Sequence, residues 1–266
     1  MPELPEVETI KRELEGSLLG RKIAKVYVHH SLVIREPSVE KFKKGIEGAS
    51  IKHVLRKAKV LILELSNGKS LTVHLKMTGQ LVYPGDGQKS RVSFRLSDGK
   101  SLDFNDQRLF GELRLLDDWR GLKFIQGLGP EPFDINLQQF KEMLAKKKTR
   151  IKPLLMDQAF ISGIGNLYAA EALFRAKVLP ERSAQTLSDK EQEALFKSIK
   201  DVLQEAIRFG GSSVDNYVRL SGKRGEYVSH HKVYDREGKP CLVCKAPVKR
   251  TALGGRGTYF CPKCQK

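Results

Sequence analysis

Between residues 3 and 18, apolar side chains recur three and four positions apart: Leu4, Val7, Ile10 (with Lys11 the alternative position on that face), Leu14 and Leu18. One apolar stripe at that period predicts an amphipathic helix. Glu3 and Glu6 flank the stripe, and Gly20 is placed to stop it. From Lys22 to Leu116 the period shortens. KIAKVYV, VLILELS, SLTVHLKM, RVSFRLS, SLDF and GELRLL are rich in branched and aromatic residues, and several alternate apolar with polar. Ser66-Asn67-Gly68 and Ser97-Asp98-Gly99 supply hairpin turns. An antiparallel β-sandwich or flattened barrel with the first helix against it is expected. Residues 127–133, GLGPEPF, break the pattern and read as a linker. Helical spacing returns over 137–147, 153–160, 166–177 and 188–209, and a short basic tail starts near 232. The order is that of an α+β chain: helix plus β domain (1–130), helical domain (131–231), cysteine-bearing tail (232–266).

The tail changes the picture first. All four cysteines lie in it, as Cys241-x2-Cys244, sixteen residues, then Cys261-x2-Cys264. In a reducing compartment this spacing reads as a tetrathiolate zinc site. Four thiolates fill the tetrahedron, so the metal is expected to be structural, with no open position for substrate.

Charge comes next. The 266 residues carry a formal net charge of +17. A surplus of that size points to a polyanion, chiefly nucleic acid held through its phosphates. A basic amphipathic anchor and a lipidation motif are missing from the sequence, and no apolar run approaches the roughly 20 residues of a membrane span. The acidic start lacks a signal-peptide core, so a cytosolic or nucleoid location is expected.

Several stretches could carry chemistry. The opening MPELPEVETI sets Pro2 and Pro5 among Glu3, Glu6 and Glu8. Proline and acids suit a first helical turn; the alternative is chemistry at the chain terminus. Gly163 and Gly165 precede a helical pattern that starts near Asn166, either as a phosphate seat or as a packing turn. Lys146, Lys147, Lys148, Arg150 and Lys152 lie shortly before it. Arg256, between two glycines, suits a hairpin tip that approaches phosphate. Lys57 and Lys59 share one side of a β-like run. Met77 and Phe110 are expected in the core from residue type alone, although an apolar side chain beside Arg108 could wedge into a base stack. The pairs His29–His30 and His230–His231 have no ligand or triad spacing and receive no role.

PELPEVET, RKAK, HLKMTG, DQRLFG, LGPEP, KKKTRIKPLLMD, ISGIGNLYAAEALF and the four-cysteine tail occur in one order. Together they resemble the bacterial formamidopyrimidine-DNA glycosylase family over nearly the whole chain, and the opening is closer to this branch than to endonuclease VIII. The resemblance implies an N-terminal helix plus antiparallel β-sandwich domain, and a C-terminal helix-two-turn-helix domain with a zinc-finger β-hairpin. It implies a monomer with one structural zinc ion, acting on double-stranded DNA that contains oxidised purines (8-oxoguanine opposite cytosine, formamidopyrimidines) or abasic sites. Methionine is removed in this family, and the Pro2 amine is the nucleophile. By the same resemblance Glu3 is its acid/base partner, and Lys59 assists base loss and β-elimination. Arg256 grips phosphate and serves δ-elimination. Asn166, Lys148 and Lys152 contact phosphates, and Met77, Arg108 and Phe110 fill the gap left by the flipped base. Residues 216–229 correspond to a flexible loop that closes over the lesion. Lys89 and Arg91 stand where some relatives carry histidines, with a phosphate contact implied for Lys89. Leu109 stands where a second basic residue is common, which softens the implied contact with the opposite strand. Two rivals remain at this point: an endonuclease VIII-like enzyme for oxidised pyrimidines, and a zinc-ribbon DNA-binding protein without catalysis.

Overall fold

Glu3 caps the first helix, α1 (Leu4–Leu18), and forms a capping box with Glu6; the Glu3 N–H donates to the Glu6 carboxylate at 2.8 Å. Leu4, Val7, Ile10, Leu14 and Leu18 are all buried, as the stripe predicts. Pro5 sits in the first turn, where a missing N–H costs nothing. Pro2 lies before the helix. The structure is a computed structural model and describes residues 1–87 and 90–266.

The β half forms two sheets. Five strands order as β2 (Ile34–Glu36), β9 (Glu112–Leu116), β5 (Ser70–His74), β4 (Val60–Leu65) and β3 (Ile51–Lys57), antiparallel except for the β2–β9 pair. Four strands order as β1 (Ile23–Val28), β7 (Val92–Leu96), β8 (Ser101–Asp106) and β6 (Gly79–Gly85). Both expected hairpin turns are present: residues 66–69 join β4 to β5, and 97–100 join β7 to β8. One core, including Leu14, Val26, Phe42, Leu63, Val73 and Phe104, is shared by α1 and both sheets. A helix interrupts the stretch read as wholly β. Ser38 caps α2 (Val39–Ile46), which buries Phe42 and Ile46. Three apolar residues over eight positions are too few to stand out against flanking strands.

The chain divides into two compact units, Met1–Gln126 with Ile207–Val228, and Gly127–Ala206 with Ser229–Lys266. Residues 207–228 therefore cluster with the β half, unlike the expected boundary at 231. The Ser212 N–H donates to Glu6 at 2.8 Å, the Leu220 N–H to Glu13 at 2.8 Å, and the Tyr83 N–H to the Leu220 carbonyl at 2.7 Å. Tyr217 and Leu220 join the core. The segment expected as a flexible loop is thus fastened along much of its length. A short helix, α3 (Lys123–Gln126), ends the first part of this unit.

The second unit holds α4 (Leu137–Ala145), α5 (Ile151–Met156), α6 (Asn166–Arg175), most of α7 (Asp189–Arg208) and the hairpin β10 (Lys249–Leu253)–β11 (Arg256–Phe260). Its opening GLGPEPF is packed rather than loose. The Gly129 N–H donates to the Gln158 carbonyl at 2.8 Å, and a Cβ at Gly129 would lie 2.6 Å from two carbonyl oxygens.

Candidate active site and nucleic-acid interface

In the first unit Pro2 and Glu3 are buried beneath an exposed Met1. While Met1 is attached, the Pro2 nitrogen is an amide without a nucleophilic lone pair. The next helical turn is tied to the β3–β4 hairpin. Arg56 donates to Glu8 of α1 at 2.8 Å and to the Ala58 carbonyl at 3.0 Å. Burial disfavours charge on Glu8, but Arg56 and Arg12 outweigh it and hold the carboxyl below its ordinary value. Lys57 pairs with Val60, leaving Ala58 and Lys59 as a two-residue turn in which Ala58 takes φ 50°. Lys59 is accordingly buried on the turn, not one of two lysines along a strand face. A tight turn ends the alternation that would have put it beside Lys57.

His74 is a site residue the motif reading passed over. It ends β5, across from Val60 on β4 and Glu112 on β9. Its Nδ1 accepts the Lys76 N–H at 3.0 Å, so the neutral ring carries its proton on Nε2. Burial, then the charge of Lys76, pushes its pKa down to about 3. The ring is therefore a neutral donor at physiological pH. The signal was the histidine inside HLKMTG, unread because the strands that flank it, β4 and β9, lie elsewhere in the sequence.

Met77 lies between β5 and β6, and Arg108 and Phe110 lie between β8 and β9. The structure brings the three together: Arg108 approaches the Met77 sulfur at 3.3 Å and covers the Phe110 ring at 4.6 Å. Met77 is 41% and Phe110 46% exposed, so neither fills the core as residue type alone suggested. Lys89 lies outside the described residues. Arg91 donates to the Asp106 carbonyl at 2.8 Å.

In the second unit Gly163 takes φ 94° and Gly165 caps α6, which puts Asn166 in the first helical turn. Lys152 is placed differently from its implied phosphate contact. It is fully buried on α5, and its ammonium donates to Asn166 Oδ1 at 2.5 Å and to Thr258 Oγ1 at 2.9 Å. Asn166 Nδ2 donates in turn to the Gly257 carbonyl at 3.1 Å. Lys152 is thus a strut joining α5, α6 and β11, and Asn166 is its more exposed end. Its burial follows from the helix: Ile151, Leu154 and Leu155 bury the same short element. Lys148 is exposed. Arg256 is exposed and pairs with Leu253 across Gly254-Gly255, both at positive φ, so it stands just past the hairpin tip.

The four cysteine sulfurs lie within 4.8 Å of one another. Cys241 and Cys264 are 3.9 Å apart, close to the edge of a tetrahedron built on Zn–S bonds of about 2.3 Å. The donor set fits one zinc ion with no position left open. Glu171 of α6, also missed from sequence, is buried and accepts the N–H groups of Lys232, Val233 and Tyr234 at 2.8–3.0 Å. It thereby anchors the chain that enters the cysteine module.

Three family models match in order: the formamidopyrimidine-DNA glycosylase N-terminal domain over residues 1–113, its H2TH domain over 128–218, and a zinc finger found in FPG and IleRS over 238–266. The formamidopyrimidine-DNA glycosylase of Pelotomaculum thermopropionicum is 45% identical, covering 100% of this chain and 99% of the relative. That of Desulforamulus reducens is 42% identical over the same shares. The crystal structure of MutM (Fpg) from Thermus thermophilus superposes with a TM-score of 0.89 at 37% identity, covering 99% of this chain and 98% of that one. A Lactococcus lactis Fpg variant in complex with Fapy-dG-containing DNA gives 0.91 at 34% identity, with 100% of both chains covered. With three matched domains and full-length relatives, the chain belongs to the formamidopyrimidine-DNA glycosylase family.

Proposed function

We propose that this chain is a bifunctional DNA glycosylase and abasic-site lyase for oxidised purines in double-stranded DNA. One observation carries the reading. The unit with the buried Pro2–Glu3 terminus also holds out a cation and two apolar side chains, Arg108, Met77 and Phe110, clustered at the surface. Excision needs both parts: a nucleophile for the sugar, and a filler for the space a flipped base leaves.

Once Met1 is removed, the Pro2 nitrogen is a secondary amine. Its lone pair attacks C1′, and the base leaves with the electrons of the glycosidic bond. The nitrogen's own proton is lost as the sugar ring opens to a cationic iminium. That cation acidifies the C2′ hydrogen. Loss of the hydrogen expels the 3′ phosphate, and a second elimination expels the 5′ phosphate. Glu3 handles the proton exchanged at the sugar, and Lys59 assists base loss and the first elimination. His74, neutral with its proton on Nε2, is suited to donate to a phosphate oxygen. Lys148, Asn166 and Arg256 hold phosphates, Lys89 contributes another such contact, and Arg256 also serves the second elimination. The zinc ion stabilises the cysteine module and takes no step. The protein works as a single chain on the bacterial chromosome. No helix among the described residues is long and apolar enough to cross a membrane.

The test is a borohydride trap on a duplex carrying 8-oxoguanine opposite cytosine, with a protein whose N-terminus has been checked by mass spectrometry. Protein starting at Pro2 is expected to give a covalent adduct that maps to Pro2. Pro2→Gly is expected to bind the duplex but lose strand cleavage at least 100-fold. Equal cleavage by this variant rejects the assignment.

A further inference from the structure

Met77 and Phe110 are large apolar side chains held away from the core on two separate loops. Something must fix them there. Thr78 and Asp106 join those loops. The strands β6 and β8 pair Gly79 with Asp106, which sets the two loops side by side. Asp106 is 2% exposed. Its Oδ1 accepts the Thr78 hydroxyl and the Arg108 N–H (3.1 Å), and its Oδ2 accepts the Gly111 N–H at 2.6 Å. The Arg108 N–H also reaches Thr78 Oγ1 at 3.2 Å. One carboxylate therefore closes the loop over residues 107–111 at both ends and ties it to the residue after Met77.

Two further features shape the same loop. A Cβ at Gly111 would lie 2.5 Å from the Phe104 ring and 2.9 Å from Asp106 Oδ2, so only glycine lets its N–H reach the carboxylate. Leu109 takes φ 57°, a conformation rare for a branched side chain, and packs against the core. With Leu109 turned inward, its neighbours Arg108 and Phe110 stay exposed.

We infer that Asp106, with Thr78, is a positioning residue for base extrusion: it holds Arg108, Phe110 and Met77 ready to enter the duplex before any base has left it. This rests on the glycosylase reading above. A stacked, paired 8-oxoguanine needs the assembled filler, whereas an abasic sugar has no base to displace. Loss of Asp106 should therefore slow the first substrate far more than the second.

The experiment is single-turnover cleavage of two duplexes of identical sequence by the full chain, one carrying 8-oxoguanine opposite cytosine and the other an abasic site. In Asp106→Asn one accepting oxygen becomes a donor that faces an N–H or O–H. The ratio of 8-oxoguanine to abasic cleavage is expected to fall at least 10-fold, with abasic cleavage within about 3-fold of the parent chain. Thr78→Val is expected to lower the ratio in the same direction, and Thr78→Ser, which keeps the hydroxyl, to restore it. Should Asp106→Asn not fold, the Thr78 pair carries the test. Equal losses on both duplexes, or an unchanged ratio, overturn the inference and leave the glycosylase reading standing. A parent chain that cuts neither duplex rejects that reading, and this inference with it.

Discussion

Lys152→Met separates a strut from a phosphate ligand. The ammonium of Lys152 is fully buried and joins Asn166 Oδ1 to Thr258 Oγ1. Methionine keeps most of the chain's bulk and removes the charge. Thr258 retains its own hydroxyl bond to the Arg256 carbonyl at 3.2 Å. The Asn166 oxygen loses this donor, and an unsatisfied neutral acceptor costs about 1–3 kcal/mol. Relief of the ammonium's own desolvation pulls toward the lower end. For a chain of this size the melting temperature should fall by about 2–10 °C.

Binding supplies the discriminating measurement. Affinity for an abasic-analogue duplex should fall, because Asn166 and β11 lose their common support. Its salt dependence should not change. Each phosphate contact made by a cation contributes about 0.9 to the slope of log affinity against log salt. A strut makes none, so the slope of Lys152→Met should equal that of the parent, whereas Lys148→Ala should reduce it by about 1. A slope reduced by about 1 in Lys152→Met, with an unchanged melting temperature, would refute the strut and restore a direct phosphate contact.

Protein retaining Met1 should bind duplex yet give no borohydride adduct, since its Pro2 nitrogen is an amide; mass spectrometry of the trapped and untrapped fractions checks this. The parent chain should carry one zinc ion by elemental analysis. Cys244→Ser should lower that content and weaken duplex affinity at least 10-fold, because the hairpin bearing Arg256 folds around the metal. His74 has its folded pKa depressed to about 3 from an ordinary 6.5. Its neutral form contributes fully above pH 6.5, and stability is lost as pH falls below that, the unfolded chain taking up the proton first. Urea titrations at pH 7 and pH 5 should show the parent losing about 1–2 kcal/mol more than His74→Gln; equal losses would mean the ring is not held neutral.

What could be read from sequence was whatever a local period or spacing encodes. The first helix follows from its stripe, the hairpins from Asn-Gly and Asp-Gly, and the cysteine site from two Cys-x2-Cys pairs. Residues whose meaning depends on a distant partner were misjudged or missed. Lys152 closes a basic run and by resemblance is expected on a phosphate, but Asn166 and Thr258 that receive it lie 14 and 106 residues away. Glu171 looks like an ordinary helical acid until the N–H groups 61–63 residues further on converge on it. Lys59 obeys a two-residue period in sequence, and the period fails where the chain turns.

Met77, Leu109 and Phe110 invert the usual expectation in both directions. Large apolar residues are buried by default, which argues for core positions at Met77 and Phe110. The family resemblance places Leu109 where a second basic residue is expected, which implies a softened DNA contact. In the structure the outer two are exposed, and Leu109 is the one that packs inward. In the loop between β8 and β9 the exposed pair is Arg108 and Phe110, and the left-handed backbone at Leu109 between them carries a cost that something must offset. The left-handed residue at 109 costs about 1–2 kcal/mol, which its packing against the core and the bonds from Asp106 to Arg108 and Gly111 can offset. Leu109→Gly relieves the backbone and deletes the packing. If packing is what fixes the loop, this variant should lose 8-oxoguanine cleavage relative to abasic cleavage despite the easier φ.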